Sequence, residues 1–156
     1  MRTIHQLSAI TAALVASAGL LLGGAGTAGA EPATVAVDGT DPIATGCAAD
    51  AITARDAYGA IGGVTRVYVE LRYSPRCRTA WARVTTQNMP NCVPGADYCG
   101  GATVHRNSDG REYGCAIPGG ARGCYTPQVN DSGVTSFARG HADYGANTAY
   151  ATTGSY

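Results

Sequence analysis

Between Glu70 and Arg83 the chain places four arginines, Arg72, Arg76, Arg78 and Arg83, one carboxylate and two aromatic rings, Tyr73 and Trp81, within fourteen residues. On a hairpin, outward arginines of such a set pair with Glu70 and stack on Tyr73 or Trp81, with Trp81 partly buried against a disulfide. Exposed, the same side chains form a recognition surface, because Trp, Tyr and Arg are the types most enriched at binding hot spots. Arg72, Tyr73, Arg76, Trp81 and Arg83 are therefore the candidate surface. The competing structural role is a hairpin in which the lone Trp81 anchors the core of a small β domain.

Chemistry of other kinds finds little material. Hydrolysis by a nucleophile needs a Ser or free Cys beside a base, and beyond residue 30 the histidines are His105 and His141. His141-Ala142-Asp143 is the one close His/Asp pair, in a Gly-rich stretch that reads as loop, and no G-x-S-x-G elbow occurs. No catalytic residue is assigned, and no enzyme activity or cofactor is expected. The nine tyrosines instead favour contact, since a ring supplies area at low entropic cost and its hydroxyl a hydrogen bond.

Six cysteines, Cys47, Cys77, Cys92, Cys99, Cys115 and Cys124, read as three disulfides, and no C-x-x-C or finger-like His spacing supports a metal. Cys47 with Cys77 is the expected pair because they flank the first apolar segments. The other four are expected to pair among themselves, in an order the spacing leaves open.

The disulfide pattern belongs with the start of the chain. Residues 1–30 carry Met1-Arg2, an apolar run from Ser8 to Leu22 and small residues ending in Ala28-Gly29-Ala30. They read as a secretory signal peptide removed after Ala30, too short for a comfortable span and without a following lipidation cysteine. The expected product is extracellular with no stable membrane anchor. It carries ten arginines, no lysine and eleven acids. That near-neutral balance gives no electrostatic reason to bind nucleic acid. The whole chain, 156 residues with 14% charged and 45% hydrophobic, allows one domain and argues against a disordered chain.

The elements that must position these residues are short strands. Residues 31–45 alternate Ala33, Val35 and Val37 between prolines and read as an extended N-terminal arm, either an unattached terminus or a strand that adds to a partner. Residues 47–60 are alanine-rich and leave helix and strand both open. Val64 to Tyr73 alternates Val67, Val69 and Leu71 with Tyr68, Glu70 and Arg72, and Arg78 to Thr86 sets Ala80, Ala82 and Val84 opposite Trp81 and Arg83. Residues 87–101 read as a disulfide-pinned loop. Ala102 to Arg106 and Arg111 to Cys115 flank an Asp109-Gly110 turn, and 134–139 and 148–153 are closing strands. Together they predict a mainly β fold over 46–156, a small disulfide-stabilised sandwich or barrel.

Asp41-Pro42, Thr45-Gly46-Cys47-Ala48, Asp50-Ala51, Val69-Glu70-Leu71-Arg72-Tyr73-Ser74, Cys77 and Thr79-Ala80-Trp81-Ala82-Arg83 carry a resemblance. The sequence is similar to the YjfA-like family of small secreted proteins from Gram-positive bacteria, a domain of unknown function, densely from Asp41 to Arg83 and more loosely to Tyr156. Such proteins also resemble the adaptor subunits of umbrella toxin particles of actinobacteria. The resemblance implies that the arm inserts into a cleft of a lectin-like subunit while the domain joins a large repeat-containing toxin subunit. The alternatives are a free-standing secreted inhibitor, a carbohydrate-binding module, or a small extracellular hydrolase that would depend on His105 or His141.

Overall fold

The computed structural model describes residues 37–95 and 98–156. Residues 1–30, read from the sequence as a signal peptide, and the arm positions Ala33 and Val35 lie outside these. Alternation along β2 (Val64–Ser74) sends Val67, Val69 and Leu71 to one face, all fully buried, and β3 (Thr79–Thr86) does the same with Ala80, Ala82 and Val84. The two pair antiparallel, so Val69 lies opposite Val84 and Leu71 opposite Ala82. β1 (Ile52–Ile61) extends this sheet beyond β2, and β6 (Gly123–Tyr125) and β7 (Val129–Asn130) both pair with β3.

A second antiparallel sheet has the order β5-β4-β8-β9, from β4 (Gly100–Arg106), β5 (Glu112–Ala116), β8 (Ser136–Tyr144) and β9 (Asn147–Thr152). Its inward side is small: Ala102, Val104, Ala138, Ala142, Ala149 and Ala151 are buried against the first sheet. Small residues let the layers close tightly. A Cβ added at Gly140 on β8 would stand 2.9 Å from Cβ of Val69 and 3.2 Å from Val84 Cγ2. The fold is thus a mainly β sandwich, closed by the disulfides Cys47–Cys77, Cys92–Cys99 and Cys115–Cys124. The pairing of Cys47 with Cys77, and of the other four among themselves, is as expected from the sequence.

Three local features differ from or complete the sequence reading. Residues 47–60 resolve into one 3-10 turn, Cys47–Asp50, and then β1, because the long β2 partner rewards an extended conformation over alanine's helical preference. β6 and β7 had no sequence signal; each is short and exists by pairing with β3. Trp81 is buried, at 4% exposure, but not in the sandwich core: it stands on the outer face of the first sheet.

Candidate functional site

Of the rows that the outward positions of β2 and β3 form across the first sheet, two meet at the site. Glu70 pairs with Arg83, and Arg72 with Trp81. β1 continues these rows with Asp56 opposite Glu70 and Thr53 opposite Arg72, and β6 sets Tyr125 opposite Arg83. An indole on such a face would be exposed, and Trp81 is not, because the chain from Pro42 to Ala48 folds over it.

That covering segment is fastened from several sides. The Cys47–Cys77 disulfide ties it to the β2–β3 turn. The Asp50 carboxylate accepts hydrogen bonds from Ser74 Oγ (2.6 Å) and the Arg76 amide (2.8 Å), and Arg76 Nη2 donates to the Gly46 carbonyl. The Ser74 hydroxyl, and after it the Arg76 amide, hold the Asp50 carboxyl below the usual aspartate value. From the other end, Gln128 Nε2 donates to the hydroxyls of Thr40 and Thr45, 2.9 Å each, and Gly39 and Thr40 exchange backbone bonds with Gln128. Residues 38–45 of the expected arm are thus turns bonded to the domain. Val37 is half-buried, its carbonyl accepting from the Thr40 amide and hydroxyl.

Between this segment and the sheet lies a cavity of ≈ 140 Å³, lined by Pro42, Ile43, Ala48, Arg72, Trp81, Arg83 and Tyr125. Its rim is apolar and open: Ile43 is 61% and Tyr125 39% exposed. The Tyr125 hydroxyl donates to Asp41 Oδ2 at 3.3 Å, and burial, with the Asp41 charge behind it, pushes the phenol's pKa up.

Glu70 organises the cations. Its carboxylate is 4% exposed and receives Nε and Nη2 of Arg83, Oγ1 of Thr53 and, at 3.5 Å, Nη1 of Arg72. Burial pushes this carboxyl up, but the hydrogen bonds from Arg83 and Thr53 with the two positive charges outweigh it and leave the pKa below the ordinary glutamate value. In return the Glu70 bond raises the Arg83 pKa. Arg72 Nη2 donates to the Ala51 carbonyl. With two of its three nitrogens held and its side chain about half exposed, Arg83 presents a guanidinium whose orientation is set before any partner arrives.

Arg72, Trp81 and Arg83 therefore meet at one site, whereas two other members of the expected surface do not join them. Tyr73 faces the opposite side of β2 and packs edge-on against Tyr156, with centroids 5.2 Å apart. Arg76 is spent on holding the covering segment. Ile43 and Tyr125 were missed, since they reach the site from an irregular segment and a three-residue strand with no alternation to reveal a face.

A second concavity of ≈ 290 Å³ is lined by polar groups including Asp38, Arg106, Asn130 and Ser132. Arg106 is already saturated there, by the carboxylates of Asp109 and Asp38 and the Asn130 carbonyl. The Asp109 bond, with Asp38 behind it, raises the arginine's pKa, and Arg106 in turn lowers that of Asp109. This network fixes the loops rather than offering a free group.

A family described as proteins of unknown function (DUF2690) matches residues 35–139, a span that contains every residue lining the Trp81 cavity. The chain belongs to the DUF2690 family. The uncharacterized protein YjfA of Bacillus subtilis (strain 168) is 36% identical over 137 residues, covering 81% of this chain and 84% of that protein. No solved structure matches. Among the described residues the histidines stand on the second sheet, His105 on β4 and His141 on β8, so His141-Ala142-Asp143 is strand rather than the loop its glycine-rich surroundings suggested. His105 Nδ1 lies 2.8 Å from Glu112 Oε1, and Asp143 accepts from Thr148 Oγ1 at 2.8 Å. Among the described residues no group of three His, Cys, Asp or Glu side chains could hold a metal.

Proposed function

We propose that this DUF2690 protein is a secreted, non-enzymatic binding protein that takes a side chain of a protein partner into the Trp81 cavity. The single observation that carries this is the preformed cavity itself. Its volume suits one apolar side chain, its floor is an indole, its rim is Ile43 and Tyr125, and a pre-oriented Arg83 stands ready for a carboxylate or carbonyl beside it. Anchors of this kind, enclosed by a hydrophobic rim, concentrate binding energy. Three disulfides support life in an oxidising compartment, and no helix among the described residues is long and apolar enough to cross a membrane.

In the fuller reading the protein is an adaptor in an extracellular antibacterial toxin assembly. The arm adds as a strand to a lectin-like subunit, and the Trp81 face engages a large repeat-containing subunit. The docked turns at 38–45 then fix where the arm leaves the domain. Arm truncations should accordingly stop at residue 36, since Pro42 and Ile43 wall the cavity.

The test is affinity purification of tagged protein from the producer's culture supernatant, followed by mass spectrometry. The full chain should bring down both subunits. A chain lacking 31–36 should lose the lectin-like one, and Ile43→Asp with Tyr125→Ala should lose the repeat protein. Recovery of every folded form alone refutes the adaptor reading.

A further inference from the structure

Beyond Arg83 and Glu70, the outer face of the first sheet ends in a corner of negative charge. Asp56 on β1 stands directly across from Glu70 on β2, a like-charged pair that by itself works against the pairing of the two strands. Glu70 has Arg83 and Arg72 as counter-charges, whereas none of the ion pairs among the described residues uses the exposed Asp56.

Two residues further along β1, Tyr58 lies opposite Tyr68 and the two rings stack, with centroids 4.6 Å apart and planes at 26°. Tyr58 is 61% exposed and belongs to the edge strand, so no further strand flanks its ring. Burial first, and then the negative charges of Glu70 and Asp56, push the Tyr68 phenol up to about 12, so it stays a neutral ring across the physiological range.

We propose, building on the reading that a partner anchors in the Trp81 cavity, that this corner holds an arginine of the same partner, laid on Tyr58 with its guanidinium paired to Asp56. Asp56, Glu70 and Arg83 lie in one row on three adjacent strands, which sets Asp56 and Arg83 roughly 10 Å apart. The matching partner therefore carries an apolar side chain for the cavity, a carboxylate or carbonyl for Arg83 beside it, and an arginine about 10 Å beyond. Opposite charges at the two ends of the row also fix the direction in which that partner lies. A guanidinium suits the corner better than an ammonium, because it is planar and weakly hydrated and stacks on a ring while its fork meets a carboxylate. A metal ion would find one carboxylate where it needs several oxygens.

The test follows Trp81 emission while the full protein is titrated with Ac-Leu-Glu-Ser-Ser-Arg-NH2, its reversed sequence, and the same two peptides with Gln in place of Arg. An extended chain covers the roughly 10 Å from Glu to Arg in three residues. The better arginine peptide should bind about fivefold more tightly than its glutamine counterpart. Asp56→Asn and, separately, Tyr58→Ala, each with wild-type melting, should abolish that preference and leave the affinity of the glutamine peptide unchanged. Equal binding of the two, or a preference that survives Asp56→Asn, overturns the inference and leaves the cavity reading standing. If no peptide moves Trp81 emission, the cavity reading falls instead, and N-acetylarginine amide titrated against the Tyr58 ring proton signals decides the corner alone. A saturable shift that Asp56→Asn removes supports it, and no shift overturns it.

Discussion

Replacing Glu70 by Gln asks whether the outer face of the first sheet is organised by one buried charge. The carboxylate accepts from both Nε and Nη2 of Arg83 and from Thr53 Oγ1, with Arg72 Nη1 alongside. A glutamine offers one oxygen, and its amide must turn a donor toward a guanidinium donor. Breaking a buried pair on one side costs about 3–5 kcal/mol. Arg83 is about half exposed and recovers water, so screening reduces the expected loss to about 2 kcal/mol at pH 7.

The pH dependence is the sharper part. The folded-state pKa of Glu70 lies below its ordinary 4.5, so its contribution is complete above that value and is lost as pH falls through the depressed folded value. Urea unfolding of wild type and Glu70→Gln from pH 7 down to pH 2.5 should therefore show two curves that converge in acid. A loss under about 0.5 kcal/mol at pH 7, or a gap that stays constant to pH 2.5, would refute the reasoning.

Other expectations follow from the same structure. Removing Cys47–Cys77, which closes 30 residues, should cost about 3.6 kcal/mol on the chain-entropy view, against about 2.4 for Cys92–Cys99, which closes 7; denaturant midpoints of the paired Cys→Ala variants measure the difference. Gly140→Ala drives a methyl group to 2.9 Å from Val69 Cβ where the sheets meet, and should cost about 1–3 kcal/mol by thermal melting. Asp131 is 5% exposed, and burial raises its pKa above 3.8 despite the bond from Ser136 Oγ. Its ionised form is therefore a liability at neutral pH that vanishes below 3.8. Asp131→Asn, which keeps an acceptor for Ser136, should raise Tm at pH 7 and change little at pH 3.

Much of the sandwich was legible because period-two alternation is a local signal. Val67, Val69 and Leu71 against Ala80, Ala82 and Val84 fixed the β2–β3 hairpin and which side faced inward, and Asp109-Gly110 marked the β4–β5 turn, where Gly110 has φ 70°. β6 and β7 were illegible because two or three residues carry no period, and their conformation is imposed by β3. The site was half legible for the same reason. Arg72, Trp81 and Arg83 share a face by alternation, and their sequence shows it. Whether that face is bare or covered depends on Gln128 reaching Thr40 and Thr45 across more than eighty residues, which no local pattern encodes.

The location of Trp81 makes the chain its own optical probe. It is the one tryptophan in the sequence, and it sits beneath the 42–48 segment instead of between the sheets. Its emission thus reports on that flap and on whatever enters beside it, while the far-ultraviolet dichroism of the strands reports on the sandwich. Heating should separate the two signals wherever the flap lifts before the sheets part, so a fluorescence transition that precedes the dichroic one measures local opening of the cavity. A partner that fills the cavity should pull the two transitions together, an unlabelled readout of occupancy that needs no engineered reporter.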